Sequence, residues 1–129
     1  VLITVTPAQT PLIKAEWIKK GTIIFPMGSF QEIEDALILK ADNVIVDHVD
    51  QALHRGALKK LTGEGKLSEK NIFATLGELA VGKKDTGDLS QDITLCIPIG
   101  TGAMDVAIAG EVYRRALEKG MGYAFDFEA

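Results

Sequence analysis

Val1-Leu2-Ile3-Thr4-Val5-Thr6-Pro7 and Thr22-Ile23-Ile24-Phe25-Pro26-Met27-Gly28-Ser29 decide how this chain is read. Each is an apolar run of strand length that ends in small or polar residues. A helical stretch follows each, so the pattern is strand, helix, strand. The runs are nearly continuous rather than alternating, as in Ile23-Ile24-Phe25 and Val44-Ile45-Val46. That is the signature of parallel strands covered by helices on both faces. In such open sheets ligands sit beyond the carboxyl ends of the strands, which here are the tails Thr4-Val5-Thr6 and Pro26-Met27-Gly28-Ser29. No glycine-rich phosphate loop precedes the first strand, so the chain reads as the second half of a nucleotide-binding fold.

Working outward, helices are expected over 12–20, 32–40 and 49–61. In the second, Ile33, Ala36, Leu37, Lys40 and Ala41 share a face, and Glu32, Glu34 and Asp35 load the first turn against the helix dipole. Gly63-Glu64-Gly65-Lys66 interrupts the pattern. Ser68 and Thr75-Leu76-Gly77-Glu78 then offer helix starts, the latter with capping-box spacing, and 83–88 reads as a polar loop. A last strand over 93–99 leads through Gly100-Thr101-Gly102 into a helix over 103–119, ended by Gly120. With no internal repeat and no linker, 1–129 reads as a single α/β domain.

At 129 residues, 47% apolar and 25% charged, the chain has ordinary globular composition. A net charge of −4 argues against a nucleic-acid surface, which needs concentrated Lys and Arg. The lysine pairs 19–20, 59–60 and 83–84 are each expected at a helix carboxyl end. No apolar stretch approaches the roughly 20 residues that span a bilayer. The lone Cys96 lies in an apolar run and reads as a buried small hydrophobe. Together these point to a cytoplasmic protein that binds neither nucleic acid nor membrane.

The chemistry-bearing candidates are few. Gly100-Thr101-Gly102 lies between strand and helix, but the third glycine of a dinucleotide fingerprint is Asp105, which would put negative charge beside a phosphate. A carboxylate in the first turn of a helix and a tight glycine turn explain these residues better. His48 and His54 lie six residues apart, which puts them on different helix faces and outside a shared metal site. No nucleophile elbow and no phosphate-cradling loop with Lys and Ser/Thr occurs. The strand ends remain. Hydroxyls of Thr6 and Ser29 suit a ribose or a nicotinamide amide, with Phe30 as an apolar wall; Ser29 is read equally as the cap of the helix that follows.

Thr4-Val5-Thr6-Pro7, Glu16-Trp17-Ile18-Lys19-Lys20-Gly21-Thr22, Ala41-Asp42-Asn43-Val44-Ile45-Val46-Asp47, Leu76-Gly77-Glu78 with Gly82, and Asp92-Ile93-Thr94 with Gly100 and Asp105 occur in an order and spacing that resemble the ornithine cyclodeaminase/mu-crystallin family of NAD(P)-dependent proteins. The resemblance covers nearly the whole chain. It implies the carboxyl-terminal part of a Rossmann-like parallel sheet flanked by helices, with the amino-terminal half of the family fold, its glycine-rich loop and its substrate-gripping basic residues lying before Val1. It implies that Thr6, Met27, Gly28 and Ser29 contact NAD or NADP, and that Phe30, Pro98 and Ile99 lie near a small amino or imino acid.

The family resemblance also marks departures. Phe30 stands where the cyclodeaminase branch has its catalytic aspartate, and a phenyl ring cannot take a proton. That favours amino-acid dehydrogenation or imine reduction over ammonia-releasing cyclisation. The turn between Gly28 and Glu32 is shorter than usual and lacks a lysine, Pro98 and Ile99 replace a serine and a small apolar residue, and Asp88 replaces an arginine. The alternative is a non-catalytic, mu-crystallin-like dinucleotide-binding or assembly module. In either case an apolar face without its covering half is expected to draw in a second copy or a partner chain.

Overall fold

The computed structural model describes residues 1–126, which form two compact units, Val1–Ile99 and Gly100 onward. In the first unit the strands are β1 (Leu2–Thr4), β2 (Ile23–Pro26), β3 (Asn43–Val46), β4 (Ala74–Thr75) and β5 (Thr94–Ile97). The helices are α1 (Asp35–Lys40), α2 (Val49–His54), α3 (Lys59–Gly63) and α4 (Leu76–Ala80). The five strands form one sheet in the order β1-β2-β5-β3-β4, and every pairing is parallel. The α/β sheet flanked by helices expected from the apolar runs is therefore the fold observed.

β5 inserts between β2 and β3, with Leu95 beside Ile24 on one side and Val44 on the other. These residues head a core completed by Leu37 and Ile38 of α1, Leu53 of α2, and Ala57, Leu58 and Leu61. All four residues of β3 and of β5 are buried, as the unbroken apolar runs require of strands covered on both faces. Cys96 is buried in β5, and burial, helped by the charge of Asp47, pushes its thiol up to about 11, so it is an inert packing residue. The edge strand differs: Val1, Ile3 and Val5 are exposed.

Three helices depart from the periodicity. No helix spans 12–20. The N–H groups of Leu12 and Ile13 donate to the Glu32 carbonyl (2.8 and 3.1 Å), Glu34 N–H donates to the Ile13 carbonyl (3.1 Å), and Ala15 N–H donates to the Glu34 carboxylate (2.9 Å). These bonds occupy the groups a helix would use, and only the single turn Ala15–Trp17 survives. The second helix begins at Asp35 rather than at 32, after Glu34 in extended conformation, so Glu32 is no first-turn acid and Ser29 is no cap. The stretch 49–61 breaks at Arg55–Gly56: Arg55 is extended, Gly56 takes φ +61°, and a short turn at Gly56–Leu58 leads into α3.

Lys59 and Lys60 consequently open α3 instead of ending a helix, and Lys60 pairs with Asp35. The capping box at Thr75 and Glu78 forms: Glu78 N–H donates to the Thr75 hydroxyl (3.2 Å) and Thr75 N–H to the Glu78 carboxylate (2.8 Å).

The second unit is α5 (Gly102–Glu118), with Asp105 in its first turn and Gly120 at φ +61° past its end. Glu111 pairs with Arg114 and Arg115, while Val106, Ile108, Val112, Tyr113 and Leu117 are exposed. No helix among the described residues is long and apolar enough to cross a membrane.

Candidate functional site

Because all five strands run the same way, their carboxyl ends line one edge of the sheet. Three segments leave it side by side: Val5–Pro7 after β1, Met27–Phe30 after β2, and Pro98–Ile99 after β5. The first two are stitched where they start, Met27 N–H donating to the Thr4 carbonyl at 2.7 Å. One open cavity of about 360 Å³ is lined by Val5, Thr6, Pro7, Met27, Gly28, Ser29 and Phe30. A smaller one, about 150 Å³, is lined by Met27, Gly28, Ser29, Arg55, Gly56, Pro98 and Ile99. Met27, Gly28 and Ser29 line both, so the strand-end candidates Thr6, Met27, Gly28, Ser29, Phe30, Pro98 and Ile99 all lie on one or the other of these walls.

Beneath Gly28 sits Glu32, whose residue is wholly shielded from solvent. Its carboxylate accepts four hydrogen bonds. Oε2 takes the Thr4 hydroxyl (2.8 Å) and the Gly28 N–H (2.7 Å); Oε1 takes the Thr6 N–H and the Thr6 hydroxyl (both 2.7 Å). Burial by itself pushes this acid up. The hydrogen bonds from the Thr6 and Thr4 hydroxyls and from the Gly28 and Thr6 amides outweigh it and hold the group below the ordinary glutamate value. Glu32 is thus a buried anion held by donors rather than by a cation. Gly28 is required above it: a Cβ there would lie 2.5 Å from the Glu32 Cδ.

A second acid organises the other wall. Asp47, at the end of β3, accepts from the N–H of Ile99 (3.0 Å) and of His48 (2.9 Å), anchoring the turn after β5. His48 caps α2, its Nδ1 accepting from Gln51 N–H (3.4 Å), and His54 is exposed on the last turn of α2 beside Asp50. Arg55 reaches the smaller cavity from the break after α2. Ser29 and Phe30 are exposed, as a ligand wall requires.

Glu32, Asp47 and Arg55 escaped the sequence reading. Glu32 looked like one of three acids opening a helix. No local signal set it apart, since Gln31 precedes it and Glu34 and Asp35 follow within three residues. Asp47 is an acid directly after a buried strand, a position whose neighbours are loop amides. Nothing in the local pattern marks Arg55.

The larger cavity, at the ends of β1 and β2, is lined by uncharged residues alone. Thr6, Met27, Ser29, Phe30, Pro98 and Ile99 carry no charge, Arg55 brings a positive charge to the wall of the smaller cavity, and the acids below are spent on backbone amides and hydroxyls.

The model of the ornithine cyclodeaminase/mu-crystallin family matches residues 1–120. An alanine dehydrogenase of Archaeoglobus fulgidus is 37% identical over 98% of this chain and 40% of its own length. Among solved structures, Thermococcus litoralis Δ1-pyrroline-2-carboxylate reductase in complex with NADH and L-proline superposes with a TM-score of 0.86 at 28% identity, covering 96% of this chain and 40% of the reductase. An archaeal alanine dehydrogenase dimer with bound NAD superposes with a TM-score of 0.84 at 34% identity, over 98% of this chain and 41% of that one. The chain spans about two fifths of the length of these relatives.

Proposed function

This chain belongs to the ornithine cyclodeaminase/mu-crystallin family, and on that premise we propose that it is the NAD(P)-binding portion of an oxidoreductase acting on small amino or imino acids. The observation that carries the reading is the rim itself: the ends of β1 and β2 converge on an uncharged surface, beside the end of β5, in a sheet shared with a reductase solved with NADH and L-proline. The dinucleotide, when bound, supplies the hydride. The residues proposed to hold it are Thr6, Met27, Gly28 and Ser29, with Phe30, Pro98 and Ile99 on the substrate side. NAD is favoured over NADP because these two solved relatives carry the dinucleotide without a 2′-phosphate.

Reduction of an imine or oxidation of an amine asks this segment to orient the nicotinamide and exclude water. Ammonia-releasing cyclisation asks more, an acid at the substrate, and Phe30 cannot act as one. The substrate class that fits is therefore an α-amino acid or cyclic imino acid interconverted with its imine by transfer of a hydride and a proton, without loss of ammonia. The absence of an acid or base from the wall of the larger cavity also supports a second reading, a dinucleotide-binding module without catalysis. The exposed β1 residues and α5 supply apolar surface for a second copy or partner chain in either case.

Fluorescence titration with NADH and NADPH tests the dinucleotide reading. Weak binding is expected, with NADH preferred, and Thr6→Val or Ser29→Trp is expected to weaken it about tenfold, the worth of one hydrogen bond of roughly 1.4 kcal/mol. Tight binding unaltered in both variants would sink the placement. NADH oxidation with cyclic imino acids as substrates, assayed on this chain alone and joined to the remaining segments of a relative such as the Archaeoglobus fulgidus alanine dehydrogenase, separates enzyme from module.

A further inference from the structure

We propose that Glu32 is the positioning residue of the strand-end rim and that it fixes the polarity of what the rim accepts: a hydrogen-bond donor such as a ribose hydroxyl or a carboxamide N–H, and not a phosphate oxygen. This rests on the dinucleotide reading of the same rim and says which part of the molecule lies there.

Phosphate sites at strand ends work by pointing loop N–H groups at the ligand. Here the N–H groups of Thr6 and Gly28, one from each loop, are turned inward and donate to the Glu32 carboxylate, both at 2.7 Å. The amides that would cradle a phosphate are consumed, and the charge they hold has the same sign as a phosphate. The Thr6 hydroxyl is committed in the same sense. Its proton goes to Glu32 Oε1 at 2.7 Å and one lone pair takes the Ala8 N–H at 3.2 Å. A hydroxyl has one proton and two acceptor sites, so what remains for a ligand is a single lone pair. Thr6 can accept from a ligand and cannot donate to one.

The device holds its shape because both loops share one buried anion. Thr4 and Thr6 come from the end of β1 and Gly28 from the end of β2, and the glycine lets its loop come down onto the carboxylate, where a Cβ would meet both oxygens at under 3 Å (2.7 and 2.8 Å). Rotating the Thr6 hydroxyl toward a ligand would break its bond to Glu32 and leave a buried oxygen short of a donor. The carboxylate therefore acts at a distance, through Thr6, on a ligand it does not touch.

The test divides the dinucleotide. Binding of reduced nicotinamide riboside, which offers donors and no phosphate, is compared with binding of ADP-ribose and of inorganic phosphate, in the wild-type chain and in Glu32→Gln, Thr6→Val and Thr6→Ser. The riboside is expected to bind wild type and Thr6→Ser alike and about tenfold more weakly in Thr6→Val. In Glu32→Gln an NH2 in place of Oε1 would donate to the Thr6 hydroxyl and free its proton for a ligand, at the cost of the acceptor of the Thr6 N–H, so phosphate and ADP-ribose should gain about tenfold relative to the riboside. A merely structural role for Glu32 would weaken all three ligands together and would overturn the proposal. Riboside binding that ignores both Glu32→Gln and Thr6→Val overturns it while leaving the dinucleotide reading intact. Failure of the wild type to bind the riboside overturns both. Should Glu32→Gln not fold, the Thr6→Val and Thr6→Ser pair decides: equal affinities refute the assignment.

Discussion

Glu32→Ala is expected to destabilise the Val1–Ile99 unit by about 3–5 kcal/mol at neutral pH, the scale on which removing one partner of a buried charged network costs stability. The loss is large because four donors lose their acceptor at once. Two are main-chain amides that cannot turn to water without moving the loops that carry them. Against a total of roughly 5–15 kcal/mol for a typical domain, that is a considerable fraction. The same network gives the effect a pH dependence whose sign follows from the lowered acid. A carboxylate held below its unfolded value contributes stability above the unfolded pKa and loses it as pH falls through the native one. The gap between wild type and Glu32→Ala should therefore be widest at neutral pH and close as the solution is acidified below about pH 4.5. Urea unfolding of both proteins at a series of pH values measures it. A gap that stays constant down to the acid limit, or that never exceeds about 1 kcal/mol, is incompatible with a buried ionised Glu32.

Leu95→Ala is the other change of that size, and its mechanism is purely one of packing. Leu95 is 0% exposed in the middle strand of the sheet, between Ile24 and Val44. Truncation removes favourable burial and leaves a cavity that neighbours in three parallel strands cannot close, so about 2–5 kcal/mol is expected. Ile3→Ala provides the contrast. Ile3 is as apolar but 61% exposed on the edge strand, and its loss should stay within about 0.5 kcal/mol. Denaturation midpoints of the two variants should separate clearly. Equal midpoints would mean that the sheet is not centred on β5.

How much of this could be read beforehand depended on whether a residue's partners were near it in the chain. Val44-Ile45-Val46 announces a parallel strand buried on both faces, whereas in Ile23-Ile24-Phe25, equally apolar, only Ile24 is fully buried. The capping box at Thr75 and Glu78, the Gly120 stop of α5 and the Asp105 first turn are contacts between residues a few positions apart, and local chemistry decides them. The helix expected over 12–20 failed for the opposite reason: its backbone bonds go to residues about 20 positions away. The break at Gly56 likewise brings the chain against Ile99, where a Cβ would lie 3.1 Å from Cδ1.

At the site, the small and polar strand tails marked Thr6, Gly28 and Ser29, with Phe30 beside them, whereas Met27 entered through the family resemblance. The sequence by itself also determined the α/β class, the parallel sheet and the family. Only the tertiary structure decided that β5 lies between β2 and β3, that Glu32 leaves its helix to sit under two loops, and that Asp47 anchors the turn at Ile99. The physical reason is range. Apolar periodicity and capping act within a turn or a strand, whereas a buried carboxylate is satisfied by whichever donors the folded chain brings to it, and those donors stand 4, 26 and 28 positions from Glu32.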